Sequence, residues 1–113
     1  MGWLLRDGEV LATLEMAQTR SARRKGLLGR DTIDGALLLK PCRAVHTIGM
    51  RFAIDVAFCS APDGDGFATV LAIRRMGRHR VTAPVWRAGA VVEAQAGAFA
   101  RWGLTVGDRL EFR

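Results

Sequence analysis

Three side chains with soft or titratable atoms recur at intervals of four in Cys42-Arg43-Ala44-Val45-His46-Thr47-Ile48-Gly49-Met50. That spacing turns Cys42, His46 and Met50 toward one side of either a helix or an extended strand. A thiol, an imidazole and a thioether together would suit copper(I). A blue-copper arrangement needs a further histidine upstream, whereas the other histidine of this chain, His79, lies downstream. Cysteine and methionine also fill apolar cores, so no metal and no cofactor are expected. The same segment offers a Cys42–His46 nucleophilic pair. That chemistry requires a lowered thiol pKa and a third group to orient the imidazole, and neither is visible in the sequence.

Asp55 is the second chemically informative residue. It stands inside the apolar run Ala53-Ile54-Asp55-Val56-Ala57-Phe58-Cys59, where a carboxylate must find hydrogen bonds or a cation to avoid a penalty of about several kcal/mol. A structural anchor bonded to backbone N–H groups or to an arginine is the expected role. The functional alternative makes Asp55 an acid, a base or an orienting group for His46, whose ordinary pKa lies near neutrality. Arg51, between them, supplies a cation.

Charge adds a third theme. The chain carries 15 Arg, 2 Lys and a net charge of +6 over 113 residues, which favours acidic partners, although genomic base composition also yields arginine-rich chains. Arg20, Arg23, Arg24 and Lys25 form one basic group, and Arg74, Arg75, Arg78, His79 and Arg80 another. Either could hold phosphate, carboxylate or nucleic acid, but no base-reading motif or row of aromatics accompanies them. Walker, GxGxxG and HExxH signatures are absent from the sequence, which removes the usual nucleotide-binding and zinc-protease readings.

The elements that must position these residues are short. Trp3-Leu4-Leu5 and Val10 to Met16 flank Asp7-Gly8, a hairpin signal. Thr19 can cap a helix over Arg20 to Leu28 that Gly29 closes. Ala36 to Leu39 is a brief apolar run halted before Pro41. Ala53 to Cys59 is a strand with Ile54, Val56 and Phe58 on its core face. The turn Pro62-Asp63-Gly64-Asp65-Gly66 leads it into a partner strand over Phe67 to Arg74. Gly89 to Ala94 reads as another strand. A helix from Ala96 to Trp102 ends at Gly103, with Leu104 placed for the apolar contact of such a cap, and Val106 to Phe112 closes the chain as a strand. These elements predict an α+β fold: a compact, mainly antiparallel sheet or partly closed barrel with two short helices. At 113 residues, half of them apolar and a quarter charged, the chain is expected to be one domain, residues 1–113. The N-terminus lacks the pattern of a signal peptide and no apolar run approaches the ~20 residues of a membrane span. A cytoplasmic location with reduced Cys42 and Cys59 and no membrane association is therefore expected.

Thr19, Gly26-Leu27-Leu28, Ile54-Asp55-Val56-Ala57-Phe58, Asp63-Gly64, Val92-Glu93, Gly97 and Gly103-Leu104-Thr105-Val106-Gly107-Asp108-Arg109 occur in an order that resembles the DUF192 family. The likeness runs from about Leu11 to Arg113, and is greatest to a branch with a Cys-x-x-x-His-Thr segment, here Cys42 to Thr47. It implies a compact, mainly antiparallel α+β domain and brings no established activity with it. Two departures matter. Ala22 stands where a Glu often follows the Thr, and Thr47-Ile48-Gly49-Met50 replaces a Met-Lys-Asn-Thr segment, so no role of that Glu, Lys or Asn carries over.

Together these observations lead to a non-catalytic binding or accessory module in which His46, Arg51 and Asp55, with Cys42 nearby, take an anionic small molecule or an acidic protein segment. A small hydrolase or transferase using Cys42 or Asp55 with His46 is the enzymatic alternative. A nucleic-acid-binding basic domain is a third, and requires one continuous basic face.

Overall fold

The computed structural model describes residues 2–113; Met1, where the N-terminal reading starts, lies outside them. The first hairpin joins β1 (Gly2–Arg6) to β2 (Glu9–Ala17). Its two-residue turn has φ of 53° at Asp7 and 78° at Gly8, the left-handed pair that matches the twist of the flanking strands. After β2 comes helix α1 (Arg20–Lys25), capped by the Thr19 side chain, which accepts from the Ala22 N–H. The helix is shorter than the expected span to Leu28. It stops where Gly26 takes φ 48°, a conformation that costs glycine little and other residues more.

The remaining strands are β3 (Ala36–Leu39), β4 (Ile54–Cys59), β5 (Phe67–Met76), β6 (Ala90–Gln95) and β7 (Arg109–Phe112), with helix α2 (Ala98–Trp102) between the last two. They close a barrel in the order β1-β2-β3-β6-β4-β5-β7. Each neighbouring pair is antiparallel except β2 and β3, which run parallel. Parallel neighbours require a crossover connection, and α1 with the loop after it supplies one. The expected mainly antiparallel sheet or partly closed barrel is here a closed one, and closure comes from β7, which pairs with both β1 and β5. The Trp3 and Arg113 backbones exchange hydrogen bonds of 2.8 and 2.9 Å at this seam.

Apolar residues fill two layers. Leu4, Leu14, Leu38, Ala57, Cys59, Val70, Val92 and Leu110 pack in one, together with Phe99 and Leu104 around α2. The second layer joins Leu37, Leu39, Ile54, Val56, Phe58 and Val91 to residues outside the strands, among them Leu27, Ile33, Val45, Met50 and Phe52. Alternate residues of β4 thus enter different layers. Ile54, Val56 and Phe58 share a face as expected, but Ala57 and Cys59 behind them are just as buried. The 62–66 turn is solvent-facing, as expected, with Asp63, Gly64 and Asp65 exposed. Among the described residues, no helix is long and apolar enough to cross a membrane.

Phe58 is 1% exposed and belongs to the second layer. Phe58→Ala is expected to lower stability by about 3 to 5 kcal/mol through lost contacts and a residual cavity. Denaturant unfolding measures it, and a midpoint equal to that of the parent chain would contradict the packing described.

Candidate functional site

The two carboxylates buried in the sheet have opposite environments. Asp55, on β4, is 3% exposed. Its Oδ2 accepts from the N–H groups of Gly97 at 2.9 Å and Phe99 at 3.1 Å, and its Oδ1 from Arg75 Nε at 3.1 Å. The first N–H groups of a helix have no partner inside it, and Gly97, at the N-cap of α2, has no side chain to offer. Asp55 fills that need from the neighbouring strand and fixes α2 to the barrel. Its carboxylate is fully engaged in holding the fold.

Glu93, on β6, is 4% exposed and pairs across the sheet with Leu37 and Val56. It therefore faces the second apolar layer, whereas Asp55, aligned with Ala94, faces the other side. Glu93 lies beneath the end of α1: a Cβ placed on Gly26 would stand 3.5 Å from Glu93 Oε1. Burial alone pushes its carboxyl up to about 7, since no hydrogen bond favours the ionised form. Among the described residues no enclosed side-chain oxygen or nitrogen is left without a partner. The carboxyl, which accepts no bond, thus owes its residual exposure to the cavity it lines.

That cavity has a volume of about 380 Å³. Arg23, Arg24, Lys25 and Gly26 border it from α1, Leu39 and Glu93 from the barrel, and Cys42, Val45, His46 and Met50 from the segment after β3. The spacing of four in Cys42, His46 and Met50 does bring all three to one cavity. Buried Thr47 holds this wall in place. Its hydroxyl donates to Gly77 O at 2.6 Å and accepts from Arg80 N at 2.8 Å, while its backbone N–H donates to Arg80 O at 2.7 Å. Gly49 N donates to His79 Nδ1 at 3.1 Å, so His79 braces the loop from behind. Arg23 is already occupied, bonding to the carbonyls of Gln18 and Lys40.

The cavity is not equipped for thiolate chemistry. Burial is the leading cause that pushes the Cys42 thiol up, and the charge of Glu93 adds to it; backbone contact at Ala44 and the charge of Arg23 pull the other way. The sulfur sits 3.2 Å from Ala44 O, a contact only a protonated thiol can donate. Among the described residues no three His, Cys, Asp or Glu side chains are grouped as a metal ion would require.

The expected cluster of His46, Arg51 and Asp55 is not formed around this cavity. Asp55 bonds on the opposite face of β4, because adjacent strand residues point apart. Arg51 is 60% exposed and pairs with Asp31 at 3.0 Å on the surface. His46 and Cys42 remain, joined by Glu93, which the chemical reading of the sequence passed over. Its signal was the one used for Asp55, an acid inside an apolar strand, here Val91-Val92-Glu93-Ala94. The second basic group lines a separate cavity of about 520 Å³, where Arg74, Arg75 and Arg80 meet Phe58, Val81 and Val85. The two cavities share no lining residue.

Residues 3–112 match the model of the DUF192 family, described as an uncharacterized ACR, and the chain belongs to that family. Two solved structures are similar to it. One is a protein from Sinorhizobium meliloti 1021 named as a proposed transcription regulator, with TM-score 0.78, 25% identity, and coverage of 98% of this chain and 91% of the other. The second is a protein of unknown function from Novosphingobium aromaticivorans DSM 12444, with TM-score 0.76, 19% identity, and coverage of 98% and 84%. No curated protein matches the chain.

Two stability measurements separate the carboxylates. Asp55→Ala is expected to cost about 3 kcal/mol, and Asp55→Asn less, because the alanine leaves two N–H groups of α2 without an acceptor. Urea unfolding of both variants at a constant slope tests this; an Asp55→Asn chain more stable than the parent would contradict the anchoring role. For Glu93 the folded-state pKa lies above the ordinary 4.5, so the folded chain binds the proton more tightly than the unfolded one. Its contribution is fully present below about pH 4.5, declines as pH rises to about 7, and is level above that. Glu93→Gln should remove this decline, making the variant up to about 3 kcal/mol more stable than the parent at alkaline pH and no more stable at acid pH. Parallel stability–pH curves would show that Glu93 ionises as it does in water.

Proposed function

We propose that this DUF192 domain is a non-catalytic binding module that takes an anionic small molecule into the cavity between α1 and the 41–50 segment. The observation that carries the reading is the cavity itself, about 380 Å³ with Arg24 and Lys25 at its border and leucines within. That volume falls in the ordinary range for small-molecule sites, which combine apolar walls with a few polar groups that orient the ligand. An acidic protein segment would instead need a long groove. The side chains of Arg24 and Lys25 make no hydrogen bond or ion pair among the described residues and are exposed, so a carboxylate or phosphate would meet cations not already committed. Binding is favoured over catalysis because the cavity's thiol is held protonated and its imidazole has Asp55 on the far side of the sheet.

The test is isothermal titration of the whole chain with short carboxylates, amino acids and phosphate monoesters, alongside the Arg24→Glu/Lys25→Glu double variant. One-site binding by at least one of these classes is expected, weakened about tenfold or more by the double variant with no change in unfolding midpoint. Absence of saturable binding across all three classes, or binding indifferent to the charge reversal, would overturn the proposal.

A further inference from the structure

The cavity contains a group that an anion alone would not need. Glu93 is a carboxylic acid about as buried as any core residue, in contact with Leu37 and Val56 across the sheet, accepting no hydrogen bond and lining the ligand space. An apolar side chain at this position would continue the surrounding layer without the desolvation penalty of a carboxyl. For an anion it is worse than superfluous, because a like charge repels. Among the described residues no cation pairs with it: Arg23 bonds instead to two backbone carbonyls, and Arg24 and Lys25 stand exposed at the border.

We infer that the ligand is zwitterionic, an anion that also carries a protonated amine, with Arg24 and Lys25 taking the anionic group and Glu93 the amine. The inference rests on the small-molecule reading above and names its ligand class. Leu27, Leu28, Leu39 and Met50 line the same cavity and suit an alkyl body. A metal cation is a poorer occupant, since hard cations require several oxygen ligands and Glu93 is the one carboxylate among the described residues that line the cavity. An ammonium group needs one strong acceptor, and the rest can come from water.

Proton linkage makes the inference measurable. With its carboxyl pushed up to about 7, Glu93 is mostly protonated in mildly acidic solution, so an arriving ammonium displaces a proton. Affinity for the amine-bearing ligand then rises about tenfold per pH unit toward neutrality and levels off beyond it. The other ionisable groups around the cavity are His46, Cys42, Arg23, Arg24 and Lys25. A His46→Gln chain serves as the control for the imidazole that shares the cavity.

The experiment titrates the full chain with matched pairs: γ-aminobutyrate against butyrate, and ε-aminocaproate and norleucine against caproate. The expected result is that at least one amino compound binds about tenfold or more tightly than its partner above neutrality. That preference disappears in Glu93→Gln and persists in His46→Gln. Independently of any variant, binding at mildly acid pH should release close to one proton per ligand, read from titrations in two buffers of different ionisation enthalpy. Equal affinity within every pair, a preference that survives Glu93→Gln, or binding without proton release would overturn the zwitterion while leaving an anion site standing. If no member of either set and no phosphate monoester binds, the small-molecule reading fails and this inference falls with it.

Discussion

The structure depends on the double burial of β4 and β6. These strands lie side by side in the barrel wall and are covered on both faces, so each residue's parity decides the layer it enters. Even-numbered residues of β4 meet α1 and the long loops; odd-numbered ones meet the barrel filling and α2. A one-residue slip would exchange the two sets, presenting Asp55 to the loop layer and withdrawing it from α2. The pairing of Asp55 with Ala94 and of Val56 with Glu93 is thus the common condition for the closed barrel, the seat of α2 and the cavity.

Within that frame, two acids show what burial costs and how a chain manages it. Asp55 is enclosed together with its donors, so its charge is met by two backbone N–H groups and a guanidinium. Glu93 is buried without donors, open only to the cavity, and its proton affinity rises instead. Satisfied buried polar groups specify a fold, whereas unsatisfied ones in a concave setting indicate a site. The difference is one of strand face, not of residue type, and it is why the more thoroughly bonded acid is the less promising place to seek chemistry.

Local chemistry was legible in the sequence and long-range pairing was not. Asp7-Gly8, the Thr19 cap, the 62–66 turn and the Gly103-Leu104 helix end are each written in a few adjacent residues, and each stands as read. The end of α1 differs from its reading, because Gly26, six residues after the first helical position, already supplies the stop. The parallel pairing of β2 with β3 and the closure through β7 join segments far apart in the chain, and a hydrophobic pattern does not state which strands become neighbours. The alternation in β4 was read as a single apolar face because Asp55 interrupts it, but Ala57 and Cys59 are small residues that fit a crowded interior. The interval of four in Cys42, His46 and Met50 carried real spatial information, while Arg51 and Asp55, close by in sequence, were separated by a solvent-facing loop and by strand parity.

Barrel closure has one more consequence. A sheet that ends in a free strand offers unpaired N–H and C=O groups to any extended peptide, the route by which many domains acquire partners and many misassemble. Here the β1–β7 ladder, continued by the reciprocal Trp3 and Arg113 hydrogen bonds, occupies the edges that these two terminal strands would otherwise present to each other's side. At that seam the main-chain hydrogen bonding of the first and last strands is spent within the barrel and withheld from intermolecular use.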